Sequence, residues 1–154
     1  MLLVDERKIK FEKKYQKVLN ICPAINDTIV FFGIRGFRED CLTHMDKNGK
    51  LIDEIIFEHN MDSFAMLSES EVMVLETRKA CILIWNLETH EQLRVPFNYK
   101  NEEVDQSAIY VFPETHTVCV QENGRYNDNT FRLSYFNLPI KAEQTEPFIV
   151  YDSE

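Results

Sequence analysis

The sequence contains few of the residues on which common catalytic and cofactor motifs depend. It has only four glycines, and none of them stands in a GxSxG motif or in a glycine-rich phosphate loop. The four histidines occur singly, without the HxH, HxxxH or Cys/His spacing of a zinc site. We therefore expect no catalytic residues, no metal and no cofactor, and we predict that the chain is not an enzyme.

Positive charge is scarce relative to negative charge. Seventeen basic residues face 26 acidic ones, for a net charge of −9, which disfavours binding to a phosphate backbone. No apolar run approaches the roughly 18 residues of a membrane-spanning helix, and the apolar start is too short for a signal peptide. We expect no nucleic-acid or membrane partner and a cytoplasmic protein, with the nucleus as an alternative, that is not secreted.

Paired cysteine motifs are also missing. Cys22, Cys41, Cys81 and Cys119 form no CxxC pair, and each lies in or beside an apolar run. Cysteine in reducing compartments behaves as a small hydrophobic residue. The pattern predicts four buried free thiols.

Short runs rich in Val, Ile, Phe, Leu and Tyr dominate the chain after its first 17 residues, and helical periodicity is nearly absent. This pattern predicts an all-β protein. Between two of the runs, Asn48-Gly49 indicates a hairpin with a type I′ turn, because both residues tolerate positive φ. The predicted strands fall into three groups of four: 18–25, 28–33, 41–45 and 51–57; 63–67, 71–75, 80–87 and 92–97; 108–112, 117–121, 130–138 and 147–151.

The groups repeat one another. Their second strands align as Ile29-Val30-Phe31, Val72-Met73-Val74 and Val118-Cys119-Val120, with offsets of 43 and 46 residues. The third strands end in a large apolar residue followed by Asp or Asn, as in Met45-Asp46, Trp85-Asn86 and Phe136-Asn137. Four strands per unit at a period of about 40 to 45 residues are typical of propeller blades.

One stretch carries a resemblance to a known family. Trp85-Asn86-Leu87-Glu88-Thr89, followed by Glu91-Gln92-Leu93, resembles the end of the third strand, the turn and the fourth strand of a WD-repeat. No Gly-His dipeptide precedes the first strand of any unit. The resemblance therefore implies a divergent WD-repeat-like β-propeller, in which we expect Trp85 to pack between blades.

We predict a single β domain over 1–154, built of antiparallel four-stranded blades. Residues 1–17 form a strand pair or a short basic helix, and the three blade-like units span 18–60, 61–105 and 106–154. A β-sandwich or distorted barrel is the alternative. Three to three and a half blades are too few for a closed ring, which typically has four to eight. Either a second chain or a longer parent protein would then complete the ring.

The loops between the second and third strands of each unit carry basic and aromatic residues. In a propeller these loops emerge on one rim, and arginine beside aromatic residues is typical of binding hot spots. The candidate partner-binding residues are Arg35, Phe37, Arg38, Arg78, Lys79, Arg125 and Tyr126.

The resulting functional hypothesis is a non-catalytic scaffold that binds a peptide or protein segment across this rim. One alternative is a structural segment that completes a propeller by self-association or with a second propeller segment. A hydrolase-type enzyme without a recognisable motif is the remaining alternative.

Overall fold

A computed structural model describes residues 15–36, 39–58, 61, 63–100, 106–124, 130–142 and 146–153. The chain divides into two compact units, 1–58 and 59–154. The predicted strand pair or helix at 1–17 falls almost entirely outside the described ranges. The described strands are β1 (Lys17–Ala24), β2 (Thr28–Arg35), β3 (Glu39–Met45), β4 (Leu51–Phe57), β5 (Ser63–Met66), β6 (Glu71–Glu76), β7 (Cys81–Asn86), β8 (Gln92–Pro96), β9 (Gln106–Phe112), β10 (Thr117–Asn123), β11 (Phe131–Asn137) and β12 (Ile149–Asp152).

These strands form three four-stranded antiparallel sheets, each made of strands consecutive in sequence. The first unit contains the first sheet, β1-β2-β3-β4. The second unit contains the second sheet, β5-β6-β7-β8, and the third sheet, β9-β10-β11-β12. The all-β prediction is confirmed, and none of the three described sheets closes into a barrel. Three such sheets are compatible with a propeller-like fold.

Helical structure in the described ranges consists of three short 3-10 turns, at 25–27, 77–79 and 113–115. Two of them end in a residue with left-handed backbone conformation, Ala80 at φ 49° and His116 at φ 52°. No helix in this part of the chain has the length and apolar character needed to cross a membrane.

The apolar-Asp/Asn pairs of the sequence repeat have a local explanation. Met45 and Trp85 are buried at the ends of their strands, and the next residue caps the hairpin turn. The Asp46 carboxylate accepts hydrogen bonds from the backbone N–H groups of residues 48 and 50, at 2.8 and 2.9 Å. The Asn86 side-chain oxygen does the same for residues 88 and 89, at 2.9 and 3.0 Å. These Asx turns begin the third-to-fourth strand connection in both sheets.

The Asn48-Gly49 hairpin exists, but its predicted type I′ geometry is wrong. Gly49 has φ 81°, whereas Asn48 is not among the described residues with positive φ. Five residues, 46–50, connect β3 to β4, and Asp46 stabilises them as a capped loop. A two-residue type I′ turn would require both central residues at positive φ.

The core of the second unit lies between its two sheets. One face of the second sheet contributes Met73, Leu75, Ile82, Ile84 and Val95, all at most 6% exposed. The third sheet contributes Val118, Val120 and Phe136, and the connections contribute Phe97 and Ile140. The first strands of the two sheets, β5 and β9, are adjacent, with the hydroxyls of Ser63 and Ser107 3.0 Å apart. Aliphatic faces of two sheets thus stack as β-sheets commonly do.

The four cysteines are free, as predicted. Cys41, Cys81 and Cys119 are buried, but Cys22 is only partly buried, so the prediction of burial is wrong at that position. Cys22 lies on β1, which is an edge strand of the first sheet among the strands that the structure describes, so no described strand covers its outer side.

Candidate functional site

The predicted basic rim is only partly within the described structure. Phe37, Arg38, Arg125 and Tyr126 lie outside the described residues. Arg35 belongs to the first compact unit, whereas Arg78 and Lys79 share a single turn of the second unit. The structure therefore brings together Arg78 and Lys79, and the joint rim stays a prediction.

Arg35 already has protein partners. It ends β2, and its Nη2 atom lies 2.9 Å from Oε1 of Glu54 and 3.7 Å from Oε2 of Glu39. The side chains of Arg35 and Glu54 are 15% and 6% exposed. A guanidinium that neutralises a buried carboxylate is held in place by that pair. Arg35 is therefore poorly suited to engage a partner.

Hydroxyl groups complete the surroundings of Glu54. The Tyr15 hydroxyl donates to Glu54 Oε2 at 3.1 Å, and the Thr43 hydroxyl donates to the same oxygen at 3.2 Å. Burial raises the pKa of Tyr15 to about 12; the hydrogen bond with Thr43 partly offsets this, and the Glu54 charge adds to it. This cluster holds the segment around Tyr15 against the first sheet, so its chemistry is structural.

Buried carboxylates beside arginines recur in the other two sheets. Glu76, at the end of β6, accepts hydrogen bonds from Nε and Nη2 of Arg94 at 3.3 and 3.2 Å. Glu122, on β10, pairs across the sheet with Arg132 and is 1% exposed. Glu76 and Glu122 lie near the carboxyl ends of the second strands of their sheets, whereas Glu54 lies in the middle of β4. Sequence reasoning missed these acids, because a Glu in a strand is ordinarily placed on the solvated side.

The same burial perturbs the ionisation of the groups around these acids. Burial raises the pKa of the Cys81 thiol to about 11, and the neighbouring Glu76 charge adds to the effect. Burial also raises the pKa of Glu122, although its Oε1 atom accepts a 2.7 Å hydrogen bond from the Lys100 amide. Its Oε2 atom has no hydrogen-bond partner within the described ranges. The thiol is thus kept protonated and unreactive at neutral pH.

Described residues of the second unit line at least two cavities. The larger, about 370 Å³, is lined by the end of β8 and by β11 and β12, and includes Arg132 and Ser134. Arg132 there is bound to Asp152 through Nε and Nη2, at 3.1 and 2.9 Å. The smaller, about 220 Å³, has an apolar floor with His116 and Glu71 among its lining residues. Neither presents a group of catalytic side chains, and the described residues contain no cluster of three or more His, Cys, Asp or Glu suited to a metal ion.

One face of the third sheet, here called the outer face, is an exposed surface without an evident structural role. Strand pairing and the alternation of side chains define its thirteen residues. None of these described residues is charged, although 28% of the whole sequence is. The outer face consists of Ala108, Tyr110, Phe112, Thr117, Cys119, Gln121, Asn123, Phe131, Leu133, Tyr135, Asn137, Ile149 and Tyr151.

Large apolar side chains on the outer face are exposed to an unusual degree. Tyr110 is 50% exposed and Tyr151 is 56% exposed, and Phe112, Phe131 and Ile149 exceed 40%. The ring of the neighbouring Phe148 lies 6.4 Å from that of Tyr135 and is itself 48% exposed. Contiguous exposed apolar surface rimmed by polar residues marks interaction sites.

The equivalent face of the second sheet is largely packed, although Leu93, the counterpart of Ile149, is 38% exposed. Met73 pairs with Ile84 across β6 and β7 just as Cys119 pairs with Tyr135 across β10 and β11. Met73 and Ile84 lie in the core between the two sheets of this unit, covered by the third sheet. The outer face therefore occupies the position at which the second sheet stacks against its neighbour. Among the described residues, no further sheet is packed against the outer face.

Sequence reasoning missed this face, although a signal was present. Alternation within Tyr110-x-Phe112, Leu133-x-Tyr135 and Ile149-x-Tyr151 places apolar residues on the side of each strand opposite the core. Comparison of the sequence with protein-family models gives no match, and comparison with curated proteins gives none either. Function is therefore inferred from the geometry and chemistry of the chain's own residues.

Proposed function

We propose that this chain is a non-catalytic interaction scaffold of propeller-like blades, divergent from WD-repeats. Its outer face stacks against a β-sheet of another protein segment. This is the structural alternative predicted from the sequence, in which a second chain or a longer parent protein extends the row of blades.

One observation carries the proposal: the third sheet exposes an uncharged aromatic face, whereas central positions of the matching face in the preceding sheet, such as Met73, Ile84 and Val95, form the core of the second unit. Exposing such a face costs about 25 cal/mol for each Å² of apolar surface that a partner would remove from water. Repeat architectures bury each unit against the next, and an end unit that lacks a polar outer face needs a further partner.

The basic rim remains a second candidate site. Arg78 and Lys79 are exposed at the tip of the 3-10 turn between β6 and β7, where an acidic peptide could reach them. Arginine and lysine on an otherwise acidic protein favour carboxylate or phosphate partners. Binding at this site would also make the chain a non-catalytic scaffold, so one experiment can compare the two candidate binding surfaces.

Site-specific photo-cross-linking in cells that express the protein naturally separates the two surfaces. A photoreactive amino acid is placed at Tyr151 or Tyr110 on the outer face, at Arg78 on the rim, and at Ile56 on β4 as a control exposed to 50%. We expect cross-linked products from the two outer-face positions and none from Ile56. Products from Arg78 alone would favour the rim, and products from none of the three test positions would overturn the scaffold.

A further inference from the structure

We infer that the occupant of the outer face is a second copy of this chain, paired through a two-fold axis so that the same face is used by both copies. This inference rests on the proposed function and names its partner. Three features of the described residues favour it: the area of the outer face, its lack of charge, and the burial of the face of the first sheet that a continuing row of blades would use.

The area suffices for a specific dimer. Six large side chains on or beside the outer face are about half exposed, and an aromatic side chain presents about 200 Å² when fully accessible. Each copy therefore offers roughly 600 Å², and a two-fold pair would bury roughly 1,200 Å² in total, at the lower end of stable protein interfaces. Interfaces at this end of the size range include weak and transient pairs, so we expect the association to be reversible.

The composition of the face is compatible with itself. A chain with a net charge of −9 resists self-association wherever its acidic surfaces meet. The outer face carries no charged residue, so two copies can approach through it without opposing charges of like sign. Its polar members, among them Thr117, Gln121 and Asn137, are hydroxyls and amides, which both donate and accept hydrogen bonds. Such groups can meet their own copies across a two-fold axis.

A head-to-tail arrangement is disfavoured by the first sheet. In a head-to-tail row, the outer face of one copy would stack on the first sheet of the next copy. The face of the first sheet used for this contact would be the one that contains Phe31, because Phe31 corresponds in the aligned repeat to Val120, which packs against the preceding sheet. Phe31 and Thr43 are 0% exposed and Met45 is 1% exposed. The ring of Tyr15 stacks edge-on against Phe31 with centroids 5.2 Å apart. Most of this face is covered among the described residues, with Ile56 as an exposed exception at the end of β4. It therefore offers the outer face less open surface than the outer face of another copy does.

Sedimentation velocity of the purified full chain tests the inference between about 1 μM and about 100 μM, the range in which micromolar affinity becomes visible. We expect a reversible shift from an 18.2 kDa species to a species of twice that mass, with no larger species. A closed two-fold pair stops at the dimer, whereas a head-to-tail contact continues to grow. A monomer across the whole range, or growth beyond the dimer, would overturn the inference.

A matched pair of substitutions locates the contact. Ile149→Lys and Ile56→Lys each place a lysine at an exposed position of a fourth strand, 41% and 50% exposed, in the third and first sheets. Ile149→Lys should weaken dimerisation at least roughly tenfold, because each copy then brings a charge without a counter-ion into the apolar interface. Ile56→Lys should leave it unchanged. Equal effects of the two substitutions would contradict the assignment.

Hydrogen exchange at low and high protein concentration gives the third readout. Backbone amides of β9 to β12 should gain protection as the dimer forms, and those of β1 and β2 should not. If the chain is monomeric but photo-cross-links from Tyr151 to a different protein, the two-fold inference fails and the proposed scaffold stands. If neither association nor cross-linking from the outer face occurs, both fail together.

Discussion

Replacing Arg35 by methionine tests whether this residue is a structural partner of Glu54 or a free binding residue of a basic rim. Methionine keeps much of the apolar stem and removes only the guanidinium. The 2.9 Å contact to Glu54 is lost, while the carboxylate, 6% exposed, keeps its hydrogen bonds from the hydroxyls of Tyr15 and Thr43. A buried charge without its counter-ion is strongly destabilising.

The magnitude follows from the two ion pairs. Breaking a buried pair by removing one partner costs roughly 3 to 5 kcal/mol. The two remaining hydroxyl donors place the expected loss in the free energy of unfolding near the lower limit, about 3 kcal/mol. The contact with Glu39 adds little, since that side chain is 55% exposed and such surface pairs contribute at most about 1 kcal/mol. Arg78→Met, at an exposed turn, is the control and should change stability by less than about 0.5 kcal/mol.

The assay must observe the first unit. The single tryptophan, Trp85, lies in the second unit, so its fluorescence does not follow the first. Urea unfolding is therefore followed by hydrogen exchange of peptides from β2 and β4. The double variant Arg35→Met/Glu54→Leu should recover most of the loss, because removing both charges can be nearly neutral. A stability of Arg35→Met within about 0.5 kcal/mol of the parent protein would refute the reasoning.

Three further predictions concern single groups. Because burial raises the pKa of Glu122, its contribution to stability is largest at low pH and is lost as pH rises through its folded pKa; melting temperatures of the protein and of Glu122→Gln should diverge between acidic and neutral pH, and parallel profiles would contradict this. Absorbance titration should show a tyrosine ionisation step near pH 12 that is absent in Tyr15→Phe; an unchanged titration curve would count against the assignment. Asp46→Ala removes the acceptor for two backbone N–H groups and should cost about 1 kcal/mol in urea unfolding, whereas Asp46→Asn should cost much less; equal losses would argue against capping.

Local features were predictable from the sequence because they depend on neighbouring residues. Alternating apolar runs predict strands, and the antiparallel groups of four follow from the short polar connections between them. The Asp or Asn after a large apolar residue marks a turn, as Asp46 and Asn86 show. The predicted turn type at Asn48 was wrong. The length of the loop and the Asp46 side chain determine that turn together with the Asn-Gly pair.

Which charged side chains are buried and paired was not predictable in the same way. From its place in the sequence, Arg35 is predicted to be an exposed rim residue. Its partner Glu54 is 19 residues further along the chain, and the pairing of β3 with β4 brings Glu54 within reach of Arg35. Glu122 likewise has an ordinary place at a strand end in the sequence, and it is the strand packing that buries it. The charge of a side chain is local, whereas its solvation depends on residues distant in sequence.

The sequence by itself determined the strands, the turns and the repeat, because side-chain alternation and turn chemistry act over a few residues. Only the tertiary structure decided which face of each sheet is covered. Met73 and Cys119 occupy matching positions in their strands, but Met73 is packed beneath the third sheet, whereas the face around Cys119 remains exposed. Burial of a face requires a second sheet contributed by distant residues, so no pattern within one strand can reveal where the stacking stops.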